Sequence, residues 1–335
     1  MTTATRYEAV IGMEAHAELL TASKMFCGCS TEFGAPPNTQ CCPVCLGLPG
    51  SLPVPNRKAV EHVLRTSLAL NCAINRRSIF HRKNYFYPDL PKAYQISQYD
   101  LPIGVNGHLD LLVNGETRRV RIRRVHLEED TGKLAHVVPG TSDVDYNRSG
   151  VPLMEVVTEP DIHSEDEARD YLVALRQVLV YIGACDGRME QGSLRCEPNI
   201  SVRPVGSEEL GVKVELKNLN SFRAVHLGVQ AEAARQIAAL GRGEPLVQET
   251  RRWDEARGVT APMRTKEFAH DYRYFPEPDL VPLIFDETWI AAARASLPEL
   301  PEARRRRFVQ EYGLPEYDAG VLTDERALEI GRAHV

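Results

Sequence analysis

Two pairs of cysteines that lie close together in the sequence have the spacing of metal ligands. Cys27 and Cys29 form a C-x-C pair, whereas Cys42 and Cys45 form a C-x-x-C pair in a segment rich in glycine and proline. Four thiolates with these short spacings suit a tetrahedral zinc site that leaves no position open for a substrate. We therefore predict a structural zinc ion that stabilises the loop, with Cys41 as an alternative ligand to Cys42. Buried or unpaired thiols are the competing interpretation.

Acidic residues and a histidine at alternating positions near the N-terminus form a second candidate site. Glu14, His16 and Glu18 would share one face of a strand, because successive side chains of a strand point to opposite sides. Such a face is often merely exposed to solvent. Further carboxylates follow at predicted strand ends, namely Glu128, Glu129, Asp130, Glu155, Glu190, Glu197 and Glu215. Oxygen ligands from several strands of one sheet, together with a histidine, favour the binding of a magnesium-nucleotide complex.

Basic and aromatic residues accompany these carboxylates. The segment from Lys83 to Lys92 carries two lysines, three aromatic rings and two prolines that stiffen it. It could bind a phosphate, a carboxylate or a stacked base, or simply form a packed aromatic loop. Five arginines between residues 118 and 124 and four between residues 304 and 307 form basic runs, which are more often solvated faces than RNA contacts.

The periodicity of apolar residues predicts the elements that position these side chains. Strands are predicted at 8–20, 109–113, 119–129, 194–203 and 212–217, and helices at 57–70, 165–182, 221–240 and from about 286 onward. Asn114-Gly115 is a strong hairpin signal between two of the strands. This order predicts an α+β fold in which helices pack on one face of a mostly antiparallel sheet, followed by a smaller helical domain. No glycine-rich phosphate-binding motif follows a predicted strand, which argues against a doubly wound nucleotide-binding fold.

The composition of the 335-residue chain excludes several classes of protein. Hydrophobic residues make up 43% and charged residues 26%, which is typical of a globular protein and excludes a disordered one. No apolar run reaches the roughly 20 residues of a membrane span, and the N-terminus lacks the pattern of a signal peptide, so we expect a cytoplasmic protein without a membrane partner. The net charge of −6 argues against nonspecific coating of nucleic acids but is compatible with a local basic face.

Eight segments of the chain resemble the GatB/GatE family, the B subunits of aspartyl/glutamyl-tRNA amidotransferases. They are Gly12–Leu19, Cys42–Pro53, Lys83–Lys92, His126–Lys133, Asn147–Glu155, Met189–Cys196, Val214–Arg223 and His270–Asp279. The resemblance extends from about residue 6 to about residue 325 and rests on long, specific motifs. It implies a cradle-like catalytic domain related to glutamine synthetase at residues 1–292, with the cysteine loop at 26–46, and the beginning of a helical domain at 293–335.

The resemblance also implies an activity. Members of the family use ATP and Mg²⁺ to phosphorylate the side-chain carboxylate of a misacylated Glu-tRNA(Gln) or Asp-tRNA(Asn), and ammonia then displaces the phosphate to form the amide. An amidase A subunit frees this ammonia from glutamine, and a small C subunit completes the heterotrimer. The chain would thus be the kinase and transamidase subunit of a glutamine-dependent ligase of protein biosynthesis. The sequence does not distinguish the glutamyl from the aspartyl substrate, and a noncatalytic, zinc-stabilised tRNA-binding scaffold is the alternative function.

Positions that match the family motifs imply roles for individual residues. The implied magnesium ligands are Glu14, His16, Glu129 and Glu215. The implied ammonia path is lined by Lys83 and Lys92 with Glu129, and the candidate substrate contacts are Tyr85, Ser193 and Arg195. The choice between Glu128 and Glu129 as the ligand depends on strand register, because a shift of one residue reverses the direction of every side chain.

The resemblance implies one further expectation, about the end of the chain. The family usually continues beyond this point into a tail domain that grips tRNA, and we expect Val335 to mark a truncation. A truncated chain would retain zinc and the nucleotide site but bind tRNA weakly. Equal tRNA affinity of this chain and a full-length version would contradict that expectation.

Overall fold

The computed structural model describes residues 6–113, 116–135, 140–265 and 269–324. Over these ranges the chain forms six α-helices: α1 (Arg57–Ala69), α2 (Glu165–Tyr181), α3 (Phe222–Gly241), α4 (Glu287–Ala295), α5 (Pro301–Tyr312) and α6 (Glu316–Leu322). It also forms sixteen β-strands: β1 (Tyr7–Glu18), β2 (Ala73–Ile74), β3 (Arg77–Ser78), β4 (His81–Asn84), β5 (Tyr94–Ser97), β6 (Gly104–Val113), β7 (Glu116–Glu129), β8 (Lys133–Ala135), β9 (Asp143–Asp145), β10 (Pro152–Thr158), β11 (Leu194–Pro204), β12 (Val214–Lys217), β13 (Glu249–Asp254), β14 (Val259–Thr265), β15 (Phe275–Pro276) and β16 (Leu283–Ile284).

Nine of these strands form one large sheet in the order β14-β13-β12-β11-β1-β10-β7-β6-β2. Neighbouring strands in this sheet are antiparallel except β12 and β13, which are parallel. A smaller sheet, β15-β4-β5, carries the residues around Lys83. The large, mostly antiparallel sheet with helices confirms the predicted α+β class, whereas the relationship to glutamine synthetase stays a prediction.

The two faces of the large sheet differ in polarity because residues alternate along its central strand. Met13 and Ala15 of β1 are buried in the same hydrophobic core as Tyr171 of α2 and Val225 of α3. Glu14 and its alternate neighbours on β1 point to the opposite side. Helices therefore cover one face, and polar side chains occupy the other.

Serine side chains cap the two long helices that cover the sheet. Ser164 accepts a hydrogen bond from the Glu167 backbone N–H at 3.1 Å at the start of α2, and Ser221 accepts one from Ala224 at 3.0 Å at the start of α3. Each cap satisfies a backbone donor that has no partner within the helix. The chain therefore enters both helices at defined residues.

The predicted helices at 57–70, 165–182 and 221–240 are confirmed as α1, α2 and α3. The predicted strand pair is confirmed as the antiparallel β6 and β7, whereas its turn at Asn114-Gly115 lies outside the described residues. The sequence did not predict β10, because all seven of its residues are buried and it lacks the alternation of a one-sided strand.

Helices also form the C-terminal part of the described chain, as predicted. The predicted domain boundary after residue 292 falls within α4 and stays a prediction. Among the described helices, none has both the length and the apolar character needed to cross a membrane.

Candidate active site and metal centre

A cavity of about 700 Å³ lies over the face of the large sheet that the helices leave uncovered. Neighbouring strands β12, β11, β1, β10 and β7 contribute side chains to it, because alternate residues of each strand point to this side. Six of the predicted site residues line the cavity, namely Glu14, His16, Lys83, Tyr85, Arg195 and Glu215. The sheet thus brings together side chains that lie far apart in sequence.

His16, Glu128 and Glu155 form the first of two clusters in this cavity that could hold a metal ion. His16 pairs directly with Glu155 across the ladder between β1 and β10, and its Nε2 atom lies 3.6 Å from Glu155 Oε2 and 3.9 Å from Glu128 Oε1. His126 Nε2 lies 3.2 Å from Glu155 Oε2, and Ser97 Oγ donates to Glu128 Oε2 at 2.9 Å. These contacts hold both carboxylates towards the cavity.

Charges within the first cluster shift its proton equilibria. Burial alone would raise the pKa of Glu155, but the charge of His126 and the hydrogen bonds from His126 and His16 hold that pKa well below its ordinary value. Burial alone would lower the pKa of His16, but Glu155, Glu197 and Glu128 raise it to about 9. Glu155 is therefore ionised while His16 holds a proton, and a divalent cation bound by this cluster would have to displace that proton.

Glu14, Glu197 and Glu215 form the second cluster. Glu14 and Glu197 are direct partners across the ladder between β1 and β11. Asn199 Nδ2 donates to Glu14 Oε1 at 2.8 Å, Lys217 Nζ donates to Glu197 Oε2 at 2.5 Å, and Thr250 Oγ1 donates to Glu215 Oε2 at 2.7 Å. A neighbouring donor thus orients each of these carboxylates, as the outer partners of metal ligands do.

Lys83 and a group of tyrosines line another wall of the cavity. The Lys83 Nζ atom lies 4.9 Å from the ring centre of Tyr272 and 5.8 Å from that of Tyr85. Burial alone would lower the pKa of Lys83, but nearby acidic groups, above all Tyr274 and Glu128, raise it. Lys83 therefore stays charged and faces the carboxylate clusters as a cation for an anionic ligand.

Arg195 lines the cavity, whereas the structure does not bring Ser193 to it. Arg195 Nη2 donates to Asp130 Oδ2 at 2.6 Å, which fixes the guanidinium beside the first cluster. Ser193 lies in the turn before β11, where its hydroxyl donates to Asp186 and accepts from the Arg188 backbone N–H at 3.0 Å. These contacts account for Ser193 without a ligand.

The structure brings Glu128, and not Glu129, together with His16, whereas the role of either glutamate as a magnesium ligand stays a prediction. Consecutive residues of β7 point to opposite faces, so Glu128 faces the cavity and Glu129 faces away from it. Both Glu129 carboxylate oxygens accept from Lys92 Nζ at 2.5 Å, and Oε1 also accepts from the Ile96 backbone N–H at 2.9 Å. The predicted association of Lys92 with Glu129 is therefore present, but it lies apart from Lys83.

The sulfur atoms of Cys27, Cys29, Cys42 and Cys45 lie within 4.8 Å of one another. The Cys27 thiol donates a hydrogen bond to Cys45. This hydrogen bond lowers the pKa of Cys45 to about 4, although burial alone would raise that pKa. The Cys42 backbone N–H also donates to Cys45 Sγ at 3.2 Å. Cys41 is not in this set, and its thiol contacts Asn147 Oδ1 at 3.9 Å. The C-x-x-C spacing thus selected the cysteine that the structure places in this set, and four thiols this close together fit a metal ion.

Sequence reasoning counted Glu155 and Glu197 among the available carboxylates but did not place them in a ligand set. Their placement depends on which strands are neighbours, and β10 was not predicted as a strand. His126 was missed as a partner of the first cluster, although it alternates with Glu128 on β7. That alternation was the available signal.

The fold and the site together define a class: an α+β protein with two carboxylate-rich clusters on one sheet face and a four-cysteine site in a nearby loop. Sequence comparison agrees with this class. A model of the GatB/GatE catalytic domain matches residues 9–291, so the chain belongs to the GatB/GatE family.

Several similar proteins are named as the B subunit of aspartyl/glutamyl-tRNA(Asn/Gln) amidotransferase. The one from Thermodesulfovibrio yellowstonii is 60% identical over 323 residues, which cover 96% of this chain and 68% of that protein. The one from Caldanaerobacter subterraneus is 61% identical with the same coverage, and the one from Roseiflexus castenholzii is 59% identical over 96% of this chain and 67% of its own length. This chain thus spans about two thirds of the length of these relatives.

Proposed function

We propose that this chain activates the side-chain carboxylate of Glu-tRNA(Gln) or Asp-tRNA(Asn) by ATP-dependent phosphorylation and then amidates it with ammonia. The observation that carries the proposal is the cavity in which two clusters of metal-ligating residues face the cations Lys83 and Arg195. The names of the relatives support a role in forming Gln-tRNA(Gln) or Asn-tRNA(Asn). The designation of those relatives as B subunits supports a multi-subunit enzyme, which we propose contains an amidase and a small third subunit.

The chemistry explains why these residue types belong together. A carboxylate resists attack by ammonia because oxide is a poor leaving group. When a carboxylate oxygen attacks the γ-phosphorus of ATP, ADP leaves, and the resulting acyl phosphate has a good leaving group. Ammonia then attacks the acyl carbon, loses a proton and displaces phosphate.

The cavity residues have distinct proposed roles. His16, Glu128 and Glu155 would hold one Mg²⁺ and Glu14, Glu197 and Glu215 a second. These ions would screen the triphosphate charge and align the phosphoryl group. Lys83 and Arg195 offer fixed positive charge to the substrate carboxylate and to the transferred phosphoryl group, and Tyr85 borders the same space.

Lys92 and Glu129 have a different proposed role, because they lie on the side of β7 that faces away from the cavity. Their buried ion pair borders a second, smaller cavity beside the cysteine loop. We propose that ammonia from the glutaminase partner arrives on this side. The metal in the cysteine site would be zinc, with a structural role, because four thiolates leave no ligand position open.

Phosphate release from ATP tests the proposal. The chain, assembled with its amidase and small partner subunits, is incubated with Mg²⁺-ATP and with Glu-tRNA(Gln), Asp-tRNA(Asn) or correctly charged tRNA. We expect release only with a misacylated tRNA, and a loss of about 100-fold or more in Glu155→Gln, since even outer partners of metal ligands affect activity 10- to 100-fold.

The matched control is Glu116→Gln, which removes an exposed carboxylate at the far end of β7. It should retain full activity. If Glu155→Gln assembles and still releases phosphate at the control rate, the carboxylates are solvated residues, and the noncatalytic scaffold is the better description.

A further inference from the structure

Lys24 is a buried lysine that the proposed reaction does not use. Its side chain is only 1% exposed, which places it among the largest fully buried side chains of the described residues. Burying an ammonium group away from water is unfavourable unless a negative charge or several acceptors surround it. Lys24 therefore needs a partner whose interaction with the ammonium group offsets the lost hydration.

The contacts of Lys24 connect the two cysteine pairs. Its Nζ atom lies 3.7 Å from Cys45 Sγ and donates to the Tyr146 carbonyl oxygen at 3.1 Å. Its backbone N–H donates to the Cys29 carbonyl oxygen at 2.9 Å. One residue thus contacts the C-x-C pair through its backbone and the C-x-x-C pair through its side chain.

The surrounding backbone packs closely around this contact. Gly150 has a φ of 84°, which favours glycine, and a side-chain carbon there would make ordinary van der Waals contact with Cys45 Cβ at 3.4 Å and Lys24 Cδ at 3.6 Å. The Gly150 carbonyl oxygen accepts from the Met25 backbone N–H at 2.7 Å. The ammonium group is therefore held in place by structure that is independent of the cysteine side chains.

The negative charge of a zinc-bound cysteine site would be stabilised by this nearby ammonium group. A divalent zinc ion with four thiolates carries two surplus negative charges, and Cys45 is only 4% exposed. Water can reach the half-buried Cys27, Cys29 and Cys42, but it compensates little of the charge on Cys45. A fixed ammonium group beside one thiolate supplies the compensation, in the way that outer hydrogen-bond partners stabilise metal ligands.

We propose that Lys24 is a positioning residue of the cysteine metal site, whose ammonium group stabilises the Cys45 thiolate and retains the metal. This inference rests on the proposed zinc occupancy. It gives the site a fifth contributing residue, located before the first cysteine in the sequence. Lys24 also borders the same small cavity as Lys92 and Glu129, so that its charge forms part of that wall.

Metal retention and the spectrum of the cobalt-substituted chain test this role. The chain and its Lys24→Met, Lys24→Gln and Lys24→Arg variants are loaded with zinc, and the transfer of metal to a coloured chelator is timed. We expect the two neutral variants to lose zinc about 10- to 100-fold faster, which is the usual effect of removing an outer partner of a metal ligand. Lys24→Arg keeps the charge and should restore most of the retention.

Cobalt supplies a readout that packing alone would not change. Because a cation near a thiolate lowers the energy of its electrons, the thiolate-to-cobalt charge-transfer bands should move to longer wavelength in the neutral variants and return in Lys24→Arg. Lys58→Met, which removes an exposed lysine of α1, should match the unsubstituted chain in both measurements.

One result would contradict the proposed zinc occupancy, and another would contradict the role of Lys24. If the unsubstituted chain binds no zinc, the proposed occupancy of the cysteine site is wrong. If it binds zinc but all three Lys24 variants release zinc at the same rate as the unsubstituted chain, and their cobalt bands do not shift, Lys24 does not act on the metal site.

Discussion

Glu128 and Glu129 are consecutive residues, yet their carboxylates lie in different surroundings. Glu128 faces His16 and Glu155 in the large cavity, whereas Glu129 forms a buried ion pair with Lys92 on the other side. The alternation of β7 is the whole cause of this separation. At the residue scale, therefore, one position along a strand decides between a candidate metal ligand and an ion-pair partner.

Substitution of these two glutamates distinguishes their roles. Glu128→Gln should weaken the binding of Mg²⁺-ADP by at least about 10-fold, because it replaces an ionised ligand with a neutral one. Glu129→Gln should leave that affinity within about twofold, since Glu129 does not reach the cavity. Calorimetric titration of both variants gives the two affinities, and equal losses would contradict the assignment.

Glu129→Gln should instead destabilise the fold. It leaves the buried Lys92 ammonium without a charged partner, and removal of one member of such a pair costs about 3 kcal/mol. Denaturant unfolding of the variant, compared with the exposed-site variant Glu116→Gln, gives the change in the free energy of unfolding. A change below about 1 kcal/mol would mean that the ion pair contributes little.

At the scale of elements, capping and packing stabilise the helices, whereas we expect the cysteine loop to depend on its metal. α2 begins at a capped residue and buries Tyr171, Leu172 and Leu175 against the sheet. The segment from residue 26 to residue 46 contains almost no regular secondary structure. Hydrogen bonds join it to the neighbouring segment, for example from Asn38 Nδ2 to the Val144 carbonyl oxygen at 3.0 Å, and the four thiols with a bound metal would supply a further crosslink.

Removal of the metal should therefore act locally. Treatment with a strong chelator should speed amide hydrogen exchange at residues 26–46 by about 10-fold or more, because the loop loses its crosslink, whereas α2 should be unaffected. Hydrogen-exchange mass spectrometry with and without chelator measures both segments. Unchanged exchange in the loop would show that packing alone holds it.

Loss of a helix cap should instead destabilise the fold and leave the cysteine loop unchanged. Ser164→Ala removes the acceptor of the Glu167 N–H and should lower the free energy of unfolding by about 1 kcal/mol. Metal content and the exchange of residues 26–46 should stay the same. Denaturant unfolding measures the first effect, and a loss of zinc in this variant would contradict the independence of the two elements.

At the scale of the whole molecule, the arginine-rich runs are balanced by acids. On the outer side of β7, Arg119 pairs with Asp110, Arg121 with Asp161 and Arg123 with Glu159. Near the C-terminus, Arg307 of α5 pairs with Glu299, which lies just before that helix. These faces agree with the interpretation that such runs are solvated rather than RNA-binding.

The proposed tRNA affinity should accordingly not depend on the β7 arginines. The double substitution Arg119→Gln/Arg121→Gln should change the tRNA dissociation constant by less than about twofold and leave its salt dependence unchanged, since each phosphate contact contributes about 0.7–0.9 to the logarithmic salt slope. Filter binding at several salt concentrations measures both. A slope reduced by one or more would show that these residues do contact phosphates.

The sequence by itself determined the features that depend on local spacing. The C-x-C and C-x-x-C pairs identified the four thiols, apolar periodicity identified α1, α2 and α3, and alternation identified the polar face of β1. Each of these follows from residues within a few positions of one another, where backbone geometry alone fixes the relation.

The tertiary structure decided everything that depends on which strands are neighbours. It placed Glu14 beside Glu197 and His16 beside Glu155, and it selected Glu128 rather than Glu129 for the cavity. It also brought the Lys24 ammonium to Cys45. The alternation of a strand means that adjacent residues face opposite sides of the sheet. Only the packing of helices on one face decides which side becomes the core and which side carries the site.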